Sequence, residues 1–427
     1  MRVSVHQLIE DSARTHGAGP ALTYKNDTLT YGELWASVLA TARGLRGLGL
    51  ARGDRVGVFL EKRFETVQTF FGASGAGGAF VPVNPLLRPR QVAYVLRDCG
   101  VRILVTSADR LDLLRDELSA CGELAHVVVV DAKGDVHAPD GARYTVHRWE
   151  DLPAAEGAPV PGIDLDVAAV LYTSGSTGRP KGVVLSHRNL VVGAESVSQY
   201  LQNTADDVIL SVLPLSFDAG LSQLTTGFAV GAHVVLMNYL LPADVPRMCA
   251  RHGVTALTCV PPLWIQIADL TWPDESTRSL RYFANTGGRM PKTVLDRLRS
   301  VFPQASPYLM YGLTEAFRST YLDPAEVDRR PDSIGRAIPN AEILVLRPDG
   351  SPCDPGEEGE LVHRGALVAL GYWGDVERTA ERFRLLPDPL GSWRVPETVV
   401  WSGDTVIADE EGFLYFVGRT DEMIKTS

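Results

Sequence analysis

The chain has 427 residues, 45% of them hydrophobic and 22% charged, with a mean hydropathy of +0.00. These values describe a globular protein with a sizeable core and exclude disordered, collagen-like and membrane-spanning classes. Its 52 acidic against 41 basic residues leave a net charge of −11, which argues against a nucleic-acid binder, whose phosphate contacts call for a basic face.

In chain order, the first eight residues hold a single Arg and lead into no apolar run, so no secretory signal is expected. Residues 33–48 predict a helix and 56–60 a strand. Residues 70–83 are the most apolar stretch, too short to span a bilayer, and predict a buried helix. A helix over 90–98 and strands over 103–105 and 127–130 follow. The Ala, Pro, Gly and Asp between 132 and 161 mark a surface connection between two α/β halves. Strands are then expected at 208–213, 234–237 and 257–260, and a helix at 292–301. Apolar runs without alternation suit strands covered on both faces, so the fold class is α/β with two subdomains of largely parallel sheet over residues 1–334. From 335 to 420 short strands alternate with turn signals, which predicts a small antiparallel, barrel-like subdomain. The five cysteines, Cys99, Cys121, Cys249, Cys259 and Cys353, form no CxxC pair, so neither a zinc site nor a disulfide framework is expected and a reducing, cytoplasmic location is.

The most informative segment runs from Tyr172 to Gly182 and reads YTSGSTGRPKG. Glycines let the backbone turn its N–H groups toward an anion, hydroxyls add donors, and a lysine brings full charge to the same loop. Thr173, Ser174, Gly175, Ser176, Thr177, Gly178 and Lys181 therefore make a candidate phosphate cradle. The bland alternative is a surface loop, since Gly, Ser and Thr also favour turns. The segment is not the P-loop of NTPases, whose Lys opens a helix; here Gly182 to Leu185 reads as a strand, so the loop joins two strands. Ser186 is a plausible N-cap for a helix over 187–202. No GxGxxG follows a strand, which leaves a Rossmann site unsupported.

With this loop, the chain resembles the adenylate-forming enzymes: acyl- and aryl-CoA synthetases, adenylation domains and luciferases. Tyr311-Gly312-Leu313-Thr314-Glu315, Trp401-Ser402-Gly403-Asp404 and Gly418-Arg419-Thr420-Asp421 are similar to the family's further motifs, in the same order, with Ser402 where the family has Thr. The resemblance implies an ATP- and Mg²⁺-dependent enzyme that joins a carboxylic acid to AMP, releases pyrophosphate, and passes the acyl group to a thiol of CoA or a carrier protein. It implies that Thr173 to Lys181 hold the β- and γ-phosphates, that Tyr311 stacks on adenine beside Gly288 and Gly312, and that Thr314 meets the α-phosphate. Asp404 would accept the ribose hydroxyls with Arg419 nearby, and Asp421 would be the hinge. Glu315 is the expected Mg²⁺ ligand, since that ion takes hard oxygen donors beside phosphates; Lys181, Thr314 and Glu315 form the expected catalytic set. The family's C-terminal domain, with its catalytic Lys, has no counterpart in the six residues after Asp421, a hinge stub spanning 421–427, so this form is expected to be nearly inactive in adenylation.

Substrate class turns on Pro214 to Gly220. Phe217-Asp218 stands where many acyl-CoA synthetases carry a His, and amino-acid-activating members use the Asp to pair with the substrate ammonium. A charge-assisted bond of that kind contributes about 1.5–3 kcal/mol. Asp218 could equally N-cap a helix beginning at Ala219. By the same correspondence Ala219, Ser222, Met310, Arg318 and Ser319 line the acid pocket, with Arg318 either turned to solvent or meeting a substrate carboxylate. The expected substrate is a small amino or imino acid. The alternatives are an aryl- or acyl-CoA synthetase and, in another class, a non-catalytic nucleotide- or acid-binding module.

Overall fold

Apolar runs that do not alternate cannot leave one face in water, and among the described residues they form the buried centres of two sheets. The computed structural model describes residues 2–153, 155–173, 179–386 and 396–419. Among these residues one sheet has eight strands in the spatial order Gly371–Tyr372, Lys181–Ser186, Val167–Thr173, Ala79–Pro82, Arg55–Phe59, Val101–Ser107, His126–Val130 and Thr145–Arg148. From Val167–Thr173 to Thr145–Arg148 neighbouring strands are parallel; the two strands at the other end are antiparallel.

Two expectations need correction here. The apolar run 70–83 is not one helix: the helix Phe64–Gly75 ends and the strand Ala79–Pro82 begins inside it. Gly77, at φ 81°, supplies the left-handed turn that stops the helix. Apolarity alone does not distinguish a buried helix from a buried strand. The segment 132–161 also does not separate two halves. Phe80 pairs with Ala169 across it in one sheet, and the segment itself contributes the edge strand Thr145–Arg148.

Among the described residues the second sheet has fourteen strands. Its parallel centre comprises His233–Leu236, Val208–Ser211, Ala256–Cys259, Tyr282–Asn285 and Ser306–Tyr311, with Pro20–Tyr24 parallel to His233–Leu236 at one flank. At the other flank Thr320–Leu322 and Ser333–Ala337 continue it antiparallel. Ser333–Ala337 then pairs with Leu414–Arg419, which leads through Thr398–Ala408 and Glu358–Gly365 to Ala341–Leu346. The barrel-like expectation is therefore corrected: the short strands extend the large sheet and close no barrel among the described residues. Strand-and-turn spacing is the same for either outcome, and only the long-range pairing of Ser333–Ala337 with Leu414–Arg419 decides between them. No described helix is long and apolar enough to cross a membrane.

Asp207 ties the parallel centre together. It is almost fully buried and accepts from Arg281 Nη2 at 2.8 Å, Thr255 Oγ1 at 2.7 Å and the Thr204 amide at 3.0 Å. Burial would raise its carboxyl, but Arg281 and these donors hold it below the usual range. A depressed carboxylate contributes stability above its unfolded pKa of about 3.9 and loses it as pH falls through the lower folded value. Asp207→Asn is thus expected to cost about 2–3 kcal/mol at pH 7, with the gap to wild type narrowing below pH ~4. Urea titrations at pH 7 and in acid check this. A pH-independent gap would contradict it.

Candidate active site

The cradle loop is held at both ends by the sheet. Thr173 closes the strand Val167–Thr173, Lys181 opens Lys181–Ser186, and the two residues face each other in register. Ser174, Gly175, Ser176, Thr177 and Gly178 lie outside the described residues. Beyond the second strand Ser186 caps the helix His187–Tyr200, its hydroxyl accepting from the Asn189 amide while Asn189 Oδ1 accepts from the Ser186 amide. This capping box fixes where the strand ends. Thr173 Oγ1 is buried with no hydrogen-bond partner.

Lys181 does not point to water. Its Nζ donates to Glu315 Oε1 at 2.8 Å and to Tyr372 Oη at 2.7 Å, and Tyr372 Oη in turn donates to Glu315 Oε1 at 2.6 Å. Burial alone would raise the Glu315 carboxyl; the Lys181 ammonium and the two hydrogen bonds bring it below the ordinary range. Burial and Glu315 push the Tyr372 phenol up, so it remains a donor. Sequence reasoning missed Tyr372. Its only signal is the Gly371-Tyr372 pair, whose strand docks against Val183 and Val184.

Glu315 lies in a single 3₁₀ turn, Thr314–Ala316, that follows the strand Ser306–Tyr311. At that strand end a cleft of about 440 Å³ is lined by Gly288, Met310, Tyr311, Gly312, Asp404, Arg419 and Asn285, among others. The Tyr311 hydroxyl donates to Asp404 Oδ2. Arg419 Nε stands 3.0 Å from Asp404 Oδ1, an ion pair whose geometry leaves Oδ1 without a hydrogen bond. Burial raises the Asp404 carboxyl, with Tyr311 and Arg419 opposing it. Ser402 Oγ accepts from the Asp404 amide and donates to Leu361 O, which ties the Asp404 backbone to the neighbouring strand. Asn285 Oδ1, also buried in the cleft wall, has no partner; it too was missed, since a lone Asn ending a strand carries no pattern.

On the acid side the helix begins at Asp218, one residue earlier than expected, and its N-cap is Phe217, half exposed, with no side-chain cap. The capping alternative for Asp218 is thereby overturned. Its Oδ2 instead accepts from Arg318 Nη1 at 2.7 Å, and Thr314 Oγ1 lies 3.5 Å from Oδ1. Arg318 is buried and does not turn to solvent. Ala219 follows Asp218 on the same helix, partly buried against the core; Ser222 is buried one turn on, 3.4 Å from Thr226 Oγ1. Met310 Sδ accepts from Tyr200 Oη. Ser319 is wholly buried, its hydroxyl 3.0 Å from His363 Nδ1, and burial holds that imidazole down to about 4. Asp421 lies outside the described residues. A second cavity of about 480 Å³ holds none of the expected site residues; there Lys62 donates to three backbone carbonyls.

These groups suit a nucleoside triphosphate. Asp404 Oδ1, ion-paired with Arg419, and Thr173 Oγ1 are buried oxygens without a hydrogen bond, and Lys181 carries a positive charge beside Glu315. Among the described residues no three metal-ligating side chains cluster. One carboxylate, Glu315, is what a Mg²⁺ held mainly by phosphates and water requires.

A family model described as AMP-binding enzyme matches residues 9–373. The chain is 33% identical over 440 residues to an L-proline--[L-prolyl-carrier protein] ligase of Streptomyces coelicolor, covering 99% of this chain and 79% of that one. It is 30% identical over 434 residues to an indigoidine synthase of Dickeya dadantii, covering 99% of this chain but spanning only 28% of that protein's length. The solved complex of VinN with L-aspartate matches with a TM-score of 0.80 at 29% identity, covering 98% of this chain and all of that one.

Proposed function

Because the chain belongs to the AMP-binding enzyme family, we propose that it activates a small polar amino acid as the aminoacyl-adenylate. A carboxylate oxygen of the acid attacks the α-phosphorus of ATP, the bond from that phosphorus to the bridging oxygen breaks, and pyrophosphate leaves. A thiol of CoA or of a carrier protein then attacks the acyl carbon and AMP departs.

The single observation that carries this reading is that one segment, Tyr311 to Arg318, touches all three parts such a reaction needs. Tyr311 holds Asp404 in the nucleoside cleft, Glu315 holds Lys181 at the phosphate loop, and Thr314 and Arg318 contact Asp218. Lys181 neutralises charge that develops on the phosphates and the Thr314 hydroxyl donates a hydrogen bond to it, a contribution of position and electrostatics with no covalent step by the protein. Glu315 would be the carboxylate to hold a Mg²⁺, which would add positive charge at the phosphates. The amino-acid side of the reading is supported by Asp218, a carboxylate that caps no helix, and by the similarity to a carrier-protein prolyl ligase and to a protein solved with L-aspartate.

Pyrophosphate release in the presence of hydroxylamine, which captures acyl-adenylates, tests the proposal; because this form is expected to be nearly inactive, release is read as a slow rate over long incubation against controls that lack one component. Release is expected only with ATP, Mg²⁺ and an amino acid together. Release without added acid, or only with aryl or fatty acids, would overturn it.

A further inference from the structure

Arg318 and Asp218 are one hundred residues apart in the chain and form an ion pair among the residues expected to line the acid pocket, with side chains 3% and 16% exposed. Arg318 is put there by a strained turn: the preceding Phe317 sits at φ 57° and ψ −52°, a backbone conformation that bulky side chains rarely adopt. Gly312 makes room for it, since a Cβ there would come within 3.0 Å of Arg318 Cα. Arg318 Nη1 donates both to Asp218 Oδ2 and, at 3.1 Å, to the Phe317 carbonyl, while its Nε–H is buried with no acceptor.

Charge balance then restricts the acid. The Asp218–Arg318 pair is neutral as it stands. An amino acid with one carboxylate commits that group to the α-phosphate and brings only its ammonium to the pair, leaving two positive charges against one negative in a buried site. Such an uncompensated charge is strongly disfavoured. An amino acid with a second carboxylate brings one charge of each sign and leaves the total at zero. The planar guanidinium fork is built to take a carboxylate on adjacent N–H groups, and the unpartnered Nε–H is a donor waiting for one. We propose that the substrate is an amino acid bearing a second carboxylate, its ammonium on Asp218 and that carboxylate on Arg318. This rests on the adenylate-forming reading above.

The test is calorimetric binding of aspartate, glutamate, alanine, succinate and propionate to the chain loaded with Mg²⁺ and a non-hydrolysable ATP analogue. Aspartate or glutamate is expected to bind at least about 10- to 100-fold more tightly than alanine, succinate or propionate, the span of one charge-assisted bond. Arg318→Gln should abolish the preference over alanine, and Arg318→Lys, which keeps the charge but not the fork, should retain part of it. Should Arg318→Gln fail to fold because Asp218 is left unpaired, Asp218→Asn/Arg318→Gln removes both charges and should bind all five acids with similar affinity. Alanine or propionate binding as tightly as the dicarboxylic amino acids would overturn the inference while leaving acid activation standing. Binding of the analogue with none of the five acids would overturn the acid-activation reading and this inference with it.

Discussion

Replacing Lys181 with alanine is expected to lower acid-dependent pyrophosphate release by about 10²- to 10³-fold, the usual effect of removing one preorganised group from developing charge. The structure adds a second consequence, because Lys181 is also the counter-ion of Glu315. Lys181→Ala leaves that carboxylate buried beside Tyr372 alone, and the fold should lose about 2–4 kcal/mol, at or a little below the usual range because both side chains keep some exposure. Lys181→Ala/Glu315→Gln separates the two roles: it removes the orphaned charge and should recover most of the stability and none of the activity. Chemical denaturation beside the release assay decides. Activity returning together with stability would mean that the pair is only structural.

Asp404→Asn is expected to show the opposite pattern. Burial raises the Asp404 carboxyl in the folded protein. A carboxyl raised on folding contributes stability below its unfolded pKa and loses it as pH rises through the folded value. At neutral pH the ionised side chain therefore opposes folding, and the neutral amide should leave the melting temperature unchanged or higher. Nucleotide affinity should fall by about 10- to 100-fold, because the acceptor left open beside Arg419 is the one a ribose diol needs. Calorimetric titration with AMP and a thermal melt of the same variant check both halves. A destabilised variant with unchanged AMP affinity would assign Asp404 to the fold.

Local chemistry explains what the sequence made legible. The Ser186 cap, the strand–loop–strand form around Lys181 and the parallel apolar strands each depend on neighbouring residues. The short strings that hold Tyr311, Thr314, Glu315 and Asp404 also stand out in the sequence, and the roles given to them belong to the proposal. Pairing between distant segments was not. Antiparallel strands after residue 335 look the same whether a sheet closes on itself or joins another edge, and residues 70–83 are apolar enough for either a helix or a strand. In the site, Tyr372 and Arg318 act through partners 57 and 100 residues away, and no periodicity announces such a contact. Asp218 illustrates the limit most sharply. A carboxylate at a helix start reads as a cap until an arginine is found to occupy it.

The most direct measurement is calorimetric binding of a stable aminoacyl-sulfamoyl adenosine, which joins an amino-acid head to the nucleoside through a non-reactive link. If Asp218 and Asp404 mark two ends of one site, this compound binds at least about 10²-fold more tightly than AMP or the free amino acid, as expected for a mimic of the reacting complex. Asp218→Asn and Asp404→Asn should each remove most of that gain. Binding no tighter than AMP alone, or equally tight in both variants, would contradict the account.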